Sequence, residues 1–332
     1  MKDIITMDHG SGGEKTARLI DELLRPAFEN AALNALGDGA VLPGFGGELA
    51  FSTDSFVVSP LEFPGGDIGK LAVCGTVNDL AMCGAKPKWL SLSLILEEGL
   101  EMDTLRRVVD SIAKTAKAVG VQVVTGDTKV VEHGRCDGIY INTAGIGEVC
   151  AHLSPEQIRV GDAVLVTGPV GDHATAIMLA RNDLGLCGQV ESDCMPLHDL
   201  ARRAWETGGV RCLRDATRGG VATTLNEFTQ GRDFGIRLWE EAIPVRSEVR
   251  SACELLGLDP LYCANEGRML AIVAPDRAQK VLEALRSIPG GAESCQIGEV
   301  TPDFAGRVVL RNRLGAHRVL NKLTGAQLPR IC

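Results

Sequence analysis

The sequence predicts an α/β (α+β) protein with two domains and a C-terminal tail. Strand-like and helix-like segments follow one another in both halves, and a break around Ser154-Pro155 separates the halves. The chain has 332 residues, which is enough for two ordinary domains. Hydrophobic residues make up 45% of it and charged residues 23%, a composition typical of globular proteins.

In the first half, the sequence predicts a glycine loop and helix over 1–36 and a domain over 37–153. Alternating or continuous apolar runs predict strands, and apolar residues at helical spacing predict helices. The strands are expected at 49–58, 90–96, 121–125 and 139–146, and the helices at 69–83 and from a cap at Asp103 to a stop at Gly120.

In the second half, the sequence predicts a domain over 154–310. Its strands are expected at 163–167, 268–274, 295–300 and 307–311, and its helices at 173–182, 197–207, 219–229 and 276–287. Residues 311–332 show no clear apolar period and contain Gly315, Gly325 and Pro329, so we expect a mobile tail.

Charge and cysteine usage restrict the classes of function. The net charge of −9 opposes binding to a nucleic-acid backbone. No apolar run reaches the roughly 18 residues of a membrane span, and the first residues lack a signal-peptide core. The 11 cysteines form no Cys-x-x-Cys pair, so we expect reduced thiols in a cytoplasmic protein rather than a zinc site or disulfide framework.

Four aspartates stand out in the first half, most of them beside a strand end or turn. Asp79 is the most informative, because an ionised carboxylate in an apolar segment needs a strong partner. Each aspartate could be an ordinary turn or cap residue, but several converging carboxylates would hold Mg²⁺ together with phosphate oxygens. The four are Asp38, Asp54, Asp79 and Asp127.

Two glycine-rich loops could offer backbone N–H groups to phosphate. The loop Gly10-Ser11-Gly12-Gly13 is similar to a P-loop but lacks the Gly-Lys-Thr sequence, and a flexible turn explains it equally well. The pair Gly219-Gly220 precedes a predicted helix, where close packing between domains is the alternative explanation.

Glu266 and Cys332 are the remaining candidates for chemistry. Glu266 lies just before an apolar strand and could act as a general base, although a turn carboxylate is the default reading. Cys332 ends the sequence after Pro329-Arg330-Ile331. An exposed thiol is a liability in a soluble protein, so we expect Cys332 to be functional.

These motifs together resemble one known superfamily over nearly the whole chain. The aspartate and glycine motifs, with Asn78-Asp79, Gly126-Asp127-Thr128-Lys129 and Asn265-Glu266-Gly267, resemble the ATP-binding superfamily of aminoimidazole ribonucleotide synthetase. The ending Pro329-Arg330-Ile331-Cys332 narrows the resemblance to the carbamoyl dehydratases of hydrogenase maturation.

The resemblance implies a homodimer whose N-terminal domains share a barrel, and a C-terminal domain of ferredoxin-like character. It implies ATP between the domains, with Mg²⁺ on Asp38, Asp54, Asp79 and Asp127, and nucleotide contacts from Asn78, Thr128 and the two glycine loops. A carbamoyltransferase partner would load Cys332. The chain would convert S-carboxamide to S-cyanide and deliver cyanide to a complex of two further maturation proteins.

The chemistry assigns roles to the matching residues. Phosphorylating the amide oxygen creates a leaving group, so we expect Lys129 near the phosphates and Glu266 as the base, with His133 as the alternative base. His133 lies in a turn where a solvated histidine is the simpler reading. Two other functions remain open: a small-molecule synthetase or kinase of the same superfamily, and a non-enzymatic carrier of a modified cysteine.

Overall fold

Two mixed β-sheets, one in each half of the chain, organise the fold. We describe it from a computed structural model for residues 4–35, 39–181 and 189–323. Each sheet carries helices on at least one face, and both halves mix strands with helices. The predicted α/β class with two domains is therefore confirmed.

The N-terminal segment consists of short helical pieces. A 3-10 turn (Met7–Gly10) leads into α1 (Glu14–Leu19), a π-helical turn (Ile20–Leu24), α2 (Arg25–Phe28) and α3 (Ala31–Asn34). Asn30 caps α3 by accepting from the Leu33 N–H at 3.0 Å, and its amide donates to the Val123 carbonyl at 2.8 Å. This second bond attaches the helical segment to the body of the N-terminal domain.

The N-terminal domain contains a four-stranded sheet. Its elements in chain order are β1 (Leu49–Phe56), β2 (Glu62–Phe63), β3 (Gly66–Asp67), α4 (Ile68–Met82), β4 (Ala85–Glu97), α5 (Met102–Val119), β5 (Gln122–Val131) and β6 (Ile139–Val149). The strand order is β1-β6-β4-β5, and β2 and β3 form a separate small hairpin. Among the described strands of this sheet, β1 and β5 are therefore the two edges.

Helices α4 and α5 cover one face of this sheet. Asp67 caps α4 by accepting from the Gly69 and Lys70 N–H groups. Nearly every residue of α4 is buried, because the helix packs on the sheet, on α5 and on the second domain. Helix α5 has the predicted apolar stripe and ends at Gly120 in the left-handed conformation, but Glu101 occupies the cap position in place of Asp103.

The opposite face of the N-terminal sheet is exposed and partly apolar. Leu49 and Phe51 on β1 are 59% and 65% exposed, and Ile95 on β4 is 40% exposed. The ring of Trp89 on β4 stacks on Phe45 with centroids 5.1 Å apart. Within the described residues, the side chains of Leu49, Phe51 and Ile95 on this face remain largely uncovered, so the surface is open to a further protein layer.

The C-terminal domain contains a seven-stranded sheet. Its elements in chain order are β7 (Ala163–Val166), α6 (Asp172–Arg181), α7 (His198–Thr207), β8 (Val210–Asp215), α8 (Gly220–Thr229), β9 (Gly235–Trp239), α9 (Ser247–Leu256), β10 (Met269–Val273), α10 (Ala278–Arg286), β11 (Cys295–Thr301), β12 (Val308–Arg311) and β13 (His317–Leu320). The strand order is β13-β12-β9-β11-β7-β10-β8.

Most elements lie where the sequence predicts them, and six of the described strands and helices do not follow from its pattern. These are β2, β3, β8, β9, α9 and β13. Strand β13 lies inside the stretch 311–332 that the sequence assigns to the tail. It pairs antiparallel with β12, and its Leu320 is buried, so burial of this side chain holds the start of that stretch on the sheet.

Over the part of the chain that the structure describes, no helix is both long and apolar enough to cross a membrane. The nine described cysteines are free thiols, and six of them are buried. The pair Cys253 and Cys263 comes within 3.7 Å between sulfur atoms without a disulfide.

Candidate functional site

The predicted site residues fall into two groups within one chain. The first group lies where α4 meets the C-terminal domain and contains the cleft carboxylates, which we define as Asp54, Asp79, Asp215 and Glu266. The second group lies on β5 and the adjoining glycine loop. The two groups differ in burial and charge, and each is described separately below.

Asp79 lies in the C-terminal half of α4, where the helix passes between the sheet and the second domain. The Ser52 hydroxyl on β1 donates to its Oδ2 at 2.6 Å. Burial raises the pKa of Asp79 most, nearby Asp54 raises it further, and the Ser52 bond and Arg214 oppose the shift. The apolar helix therefore holds a carboxylate that lacks a full positive partner.

Asp54 lies on β1 at the same cleft. Its Oδ1 accepts from the Ser55 N–H at 2.8 Å, and the Arg218 guanidinium of the C-terminal domain approaches Oδ1 to 3.7 Å. Asp54 thus faces the loop before α8, and its Arg218 contact joins the two domains across the cleft.

Asp215 is a buried carboxylate at the end of β8. Burial raises its pKa to about 7, with further increases from Asp79 and Asp54 and an opposing effect from Arg214. Asp215 is not among the site residues predicted from the sequence. Its position just before Ala216-Thr217-Arg218-Gly219-Gly220 is the signal that points to it.

Glu266 is the most deeply buried of the cleft carboxylates. Burial raises its pKa well above the ordinary value, and the neighbouring Cys194, Asp215 and Asp193 raise it further. Asn265 beside it is fully buried and uses its amide to bind the Ala216 and Cys263 carbonyls and the Gly171 N–H. These bonds fix the loop that carries Glu266.

Asn78, predicted to contact the nucleotide, uses its side chain within the protein. It is 1% exposed, donates to the Met195 carbonyl at 3.2 Å and accepts from the Leu197 N–H at 2.7 Å. These bonds occupy both ends of its amide. In this structure Asn78 therefore connects α4 to the segment that precedes α7.

Gly219 and Gly220 form the entry to α8 and both have positive φ, 77° and 60°. A side-chain carbon on Gly220 would lie 2.5 Å from the Leu261 carbonyl oxygen and 2.6 Å from that of Cys263. Close packing against residues 261–263 thus gives a structural reason for glycine here. The same approach keeps the backbone before α8 at the edge of the cleft, beside Arg218.

The second group lies at the edge of the N-terminal sheet. On β5, the Asp127 carboxylate accepts from the Thr128 N–H at 2.9 Å and lies 3.4 Å from the Lys129 Nζ. Gly10 packs against the same strand, because a side-chain carbon there would lie 2.6 Å from the Val130 nitrogen. The predicted loop Gly10-Ser11-Gly12-Gly13 is thereby placed beside Thr128 and Lys129.

The sheet separates the two groups within one chain. β1 with Asp54 and β5 with Asp127 are three strands apart, which corresponds to about 14 Å. The pairing register also places Asp54 in line with Thr143 and Leu92, whereas Asp127 is in line with Ser93 and points to the opposite face. A single chain therefore does not bring Asp127 to the cleft carboxylates.

His133 lies in the turn between β5 and β6, far from Glu266. It is highly exposed, and its Nδ1 lies 3.2 Å from Glu97 Oε1 at the end of β4. The Ser52 that binds Asp79 lies in register with Leu90, and Glu97 is about 23 Å further along the same strand. This position fits the solvated turn histidine that the sequence favours.

Two predicted residues, Asp38 and Cys332, lie outside the described residues. The last described residues are informative about the tail, because the Tyr262 hydroxyl donates to the Asn321 carbonyl at 2.9 Å. The Leu323 N–H also lies 3.4 Å from the Thr223 Oγ1 on α8. The chain thus leaves β13 along α8, within one helical turn of Gly220.

The donor set of the cleft is suited to a hard divalent cation together with phosphate. Within ranges 4–35, 39–181 and 189–323, no group of three or more His, Cys, Asp or Glu is arranged tightly enough to hold a metal unaided. Asp54 and Asp79 face the same cleft, and the charge of Asp54 contributes to the raised pKa of Asp79. A cation bound between these two carboxylates would favour their ionised forms, so their oxygens fit Mg²⁺ with phosphate oxygens completing its coordination.

Family models match both domains of the chain. Residues 36–149 match the N-terminal domain of AIR synthase related proteins, and residues 159–311 match the C-terminal domain of the same family. Thiamine monophosphate kinase from Aquifex aeolicus has a related fold, with a TM-score of 0.61 at 20% identity.

Much stronger similarity connects the chain to carbamoyl dehydratases named HypE. The Rhodobacter capsulatus protein is 47% identical over 99% of this chain and 98% of its own length. The Escherichia coli K12 protein is 48% identical over 99% of both chains.

Solved structures agree with these relatives. A crystal structure of the hydrogenase maturation protein HypE in complex with ATP has a TM-score of 0.93 at 47% identity and covers 98% of this chain and 99% of its own. A structure of a HypE-HypF complex matches with a TM-score of 0.80 at 44% identity, covering 92% of this chain and 99% of that one. The chain belongs to the HypE carbamoyl dehydratase family, within the AIR synthase related proteins.

Proposed function

We propose that this chain uses ATP to dehydrate a carbamoyl group on its own Cys332 and so forms a thiocyanate. The observation that carries the proposal is the set of buried cleft carboxylates around Glu266, in a chain that belongs to the HypE family. The amide oxygen takes the γ-phosphate, two N–H protons leave, and the phosphate departs with that oxygen. The products are S-cyanide, ADP, phosphate and one net proton.

Glu266 is the proposed base for the N–H protons. It lies in a buried loop whose backbone is fixed by hydrogen bonds, and its pKa is raised mainly by burial. A carboxylate with a raised pKa accepts a proton more readily once it is ionised, which suits it to deprotonate a weakly acidic amide intermediate. Asp79 lines the same cleft from the N-terminal domain, and Asp215 lines it from the C-terminal domain.

Asp54 and Asp79 are the described residues proposed to hold Mg²⁺, with Asp38 and Asp127 as the further ligands predicted from the sequence. When bound, the ion would neutralise phosphate charge that develops during transfer. Lys129 supplies a second positive charge on β5, and the glycine loop beside it offers backbone N–H groups.

We further propose a homodimer that completes each site from two chains. The edges β1 and β5 and the exposed face with Leu49, Phe51 and Ile95 support it. Pairing β1 of one chain with β5 of a second chain would satisfy both edges and close the sheets into a barrel. The same pairing would place β5 of one chain, with Asp127 and Lys129, directly beside β1 of the other, the strand that carries Asp54.

Mixing two inactive variants tests the shared site. Lys129→Ala and Glu266→Gln should each lower cyanide formation to a small residual rate, whereas dimers assembled from both chains should recover about a quarter of wild-type activity, since half of the dimers carry one intact site. Activity is measured as thiocyanate formed after co-expression. Recovery no greater than the sum of the single variants would show that each site is built from one chain.

Cys332→Ala tests the substrate assignment. The variant should hydrolyse ATP and bind it normally, yet form no cyanide with the carbamoyl donor system, because no thiol remains to carry the group. Mass spectrometry of the wild-type C-terminal peptide should show loss of one water after ATP is added. Cyanide formation by Cys332→Ala, or a modified free metabolite in its place, would contradict the proposal.

The proposed partners follow from the family. One solved relative is a HypE-HypF complex, and we propose that this chain likewise meets a carbamoyltransferase that loads Cys332. It would then pass cyanide to an iron-binding complex of two maturation proteins. The nine described cysteines are all free thiols, which supports a reducing, cytoplasmic setting.

A further inference from the structure

One short segment contacts both sides of the candidate site. Residues Ser192–Leu197, which we name the strut, run between the two domains before α7. The Ser192 N–H donates to the Pro64 carbonyl at 2.8 Å, and the Cys194 N–H donates to the Ser192 hydroxyl at 3.0 Å. The strut is mostly buried, so it is part of the structure between the domains and not an exposed loop.

Asn78 holds one end of the strut to α4. Its amide binds both the Met195 carbonyl and the Leu197 N–H, at 3.2 and 2.7 Å. Asn78 directly precedes Asp79, one of the proposed Mg²⁺ ligands. A buried amide with both ends paired fixes its own backbone as well as its partner's, so the strut is tied to the turn of α4 that carries Asp79.

Asp193 holds the other end of the strut to the Glu266 loop. Its Oδ1 accepts from the Glu266 N–H at 3.0 Å, and the Met195 N–H donates back to the Glu266 carbonyl at 3.3 Å. A side-chain carbon on Gly267 would lie 1.8 Å from the Asp193 carbonyl oxygen. The strut and this loop are therefore in direct backbone contact, with no room for a larger residue.

A buried ion pair supports this attachment. The Asp193 side chain is fully buried, and Arg268 Nε lies 3.5 Å from its Oδ2. Arg268 also donates to the Pro169 carbonyl at 2.8 Å and approaches Asp172 to 3.6 Å. Arg268 follows Glu266 by two residues. The Asp193 side chain therefore contacts this loop at two points, the Glu266 N–H and the Arg268 guanidinium.

We propose that Asn78 and Asp193 are positioning residues that set the separation between Asp79 and Glu266 through the strut. The proposal rests on the proposed function, because it takes Asp79 as a metal ligand and Glu266 as the base. In this proposal Asn78 acts through its hydrogen bonds to the strut, and not through the nucleotide contact predicted from the sequence. The proposal also gives Asp193 a role that no sequence motif indicated.

The physical reason is that proton abstraction depends on distance far more than nucleotide binding does. A shift of the base by about 1 Å can lower a rate roughly a hundredfold. Asp193→Ala removes the acceptor of the Glu266 N–H and leaves Arg268 without a charged partner on this side. Asp193→Asn keeps an oxygen that accepts the N–H, so it should retain most of the positioning.

Single-turnover dehydration of the carbamoylated full-length chain tests the proposal, with ATP affinity measured in parallel. Asp193→Ala and Asn78→Ala should each lower the rate at saturating ATP by about 10- to 100-fold, with ATP affinity within about twofold of wild type. Asp193→Asn should recover to within about fivefold of the wild-type rate. In a Glu266→Gln background, neither alanine variant should lower the residual rate further.

Asp162→Asn is the matched control. Asp162 is also a buried aspartate of the C-terminal domain, accepting from the Arg159 N–H at 2.8 Å and lying 3.3 Å from Arg211. It should lower thermal stability without changing the dehydration rate. If Asp193→Ala does not fold, Asn78→Ala and Asp193→Asn carry the test.

Two results overturn the proposal, and they are distinguishable. Wild-type rates in the folded strut variants, or losses that multiply with Glu266→Gln, would show that the strut does not act through the base. A wild-type rate in Glu266→Gln alone would instead overturn the assignment of the base, and the positioning proposal with it.

Discussion

Buried carboxyl groups without full positive partners define the site at the residue scale. Asp79 could be singled out from sequence because it interrupts an apolar segment, and the structure places it in a buried helix beside Ser52. Asp193 could not be singled out in this way. The Asp193 side chain accepts a hydrogen bond from the backbone N–H of Glu266, 73 residues later. No local sequence pattern indicates a contact over that separation.

Asp215 makes the stability of the unliganded chain depend on pH. Its folded pKa of about 7 is above the ordinary aspartate value of 3.8, so the folded state binds more protons between these values. The Asp215 contribution to the free energy of unfolding is therefore complete below about pH 4 and is lost as the pH rises through about 7.

Chemical denaturation at several pH values checks this expectation. Between about pH 5 and pH 8, the free energy of unfolding should fall more steeply for the wild type than for Asp215→Asn, which cannot titrate at this position. Asp162→Asn should keep the wild-type slope. Parallel profiles for wild type and Asp215→Asn would contradict the assignment.

At the element scale, the backbone at the entry to α8 is packed tightly against the loop that leads to Glu266. Gly220 combines a φ of 60° with carbonyl oxygens that would lie within 2.6 Å of a side-chain carbon. Those carbonyls belong to residues just before Asn265 and Glu266. A change at Gly220 should therefore disturb the loop of the base as well as the helix.

Gly220→Ala should lower the free energy of unfolding by about 2–4 kcal/mol, from the positive φ and the clash together. It should also reduce dehydration activity. Gly231→Ala is the matched control, because Gly231 follows α8 with a φ of 72° but has nothing within 4 Å of a side-chain carbon. Its loss should be about 1 kcal/mol, from φ alone. Equal losses in denaturation experiments would contradict the packing argument.

Elements with a strong apolar period were predictable, and edge or polar elements were not. Helix α5 has an apolar stripe and a glycine stop; its end at Gly120 agrees with the sequence, and its cap lies two residues before the predicted Asp103. Strand β13 has three exposed residues and only Leu320 buried, so its order comes from pairing with β12. Strand β9 carries Arg237, whose charge pairs with Glu299 on β11 and hides the strand pattern.

At the scale of the whole molecule, the two-domain architecture follows from sequence, but the spatial grouping of the predicted site residues does not. Sequence order places Asp54, Asp79 and Asp127 in one series of motifs. Only the strand order reveals that Asp127 lies three strands away from Asp54 and on the other face. The physical cause is that β6 and β4 lie between the two edge strands, β1 and β5.

The exposed face of the N-terminal sheet should control assembly. Phe51→Ser removes a ring that is 65% exposed in one chain and that we place in the dimer interface. It should shift the chain towards monomer by light scattering and lower dehydration activity, with little change in monomer folding. Leu314→Ser, at a residue 92% exposed in the turn between β12 and β13, should leave both unchanged. A dimeric, active Phe51→Ser would contradict the interface.

The attachment of Asn321–Leu323 along α8 has a kinetic consequence. Cys332 is the ninth residue after Leu323, a stretch that spans at most about 30 Å. This covalent tether limits the distance between the thiol and α8, so the encounter of the thiol with ATP does not depend on how much protein is present. Dilution should slow loading by a partner and delivery to a partner, while the dehydration step between them keeps a constant first-order rate.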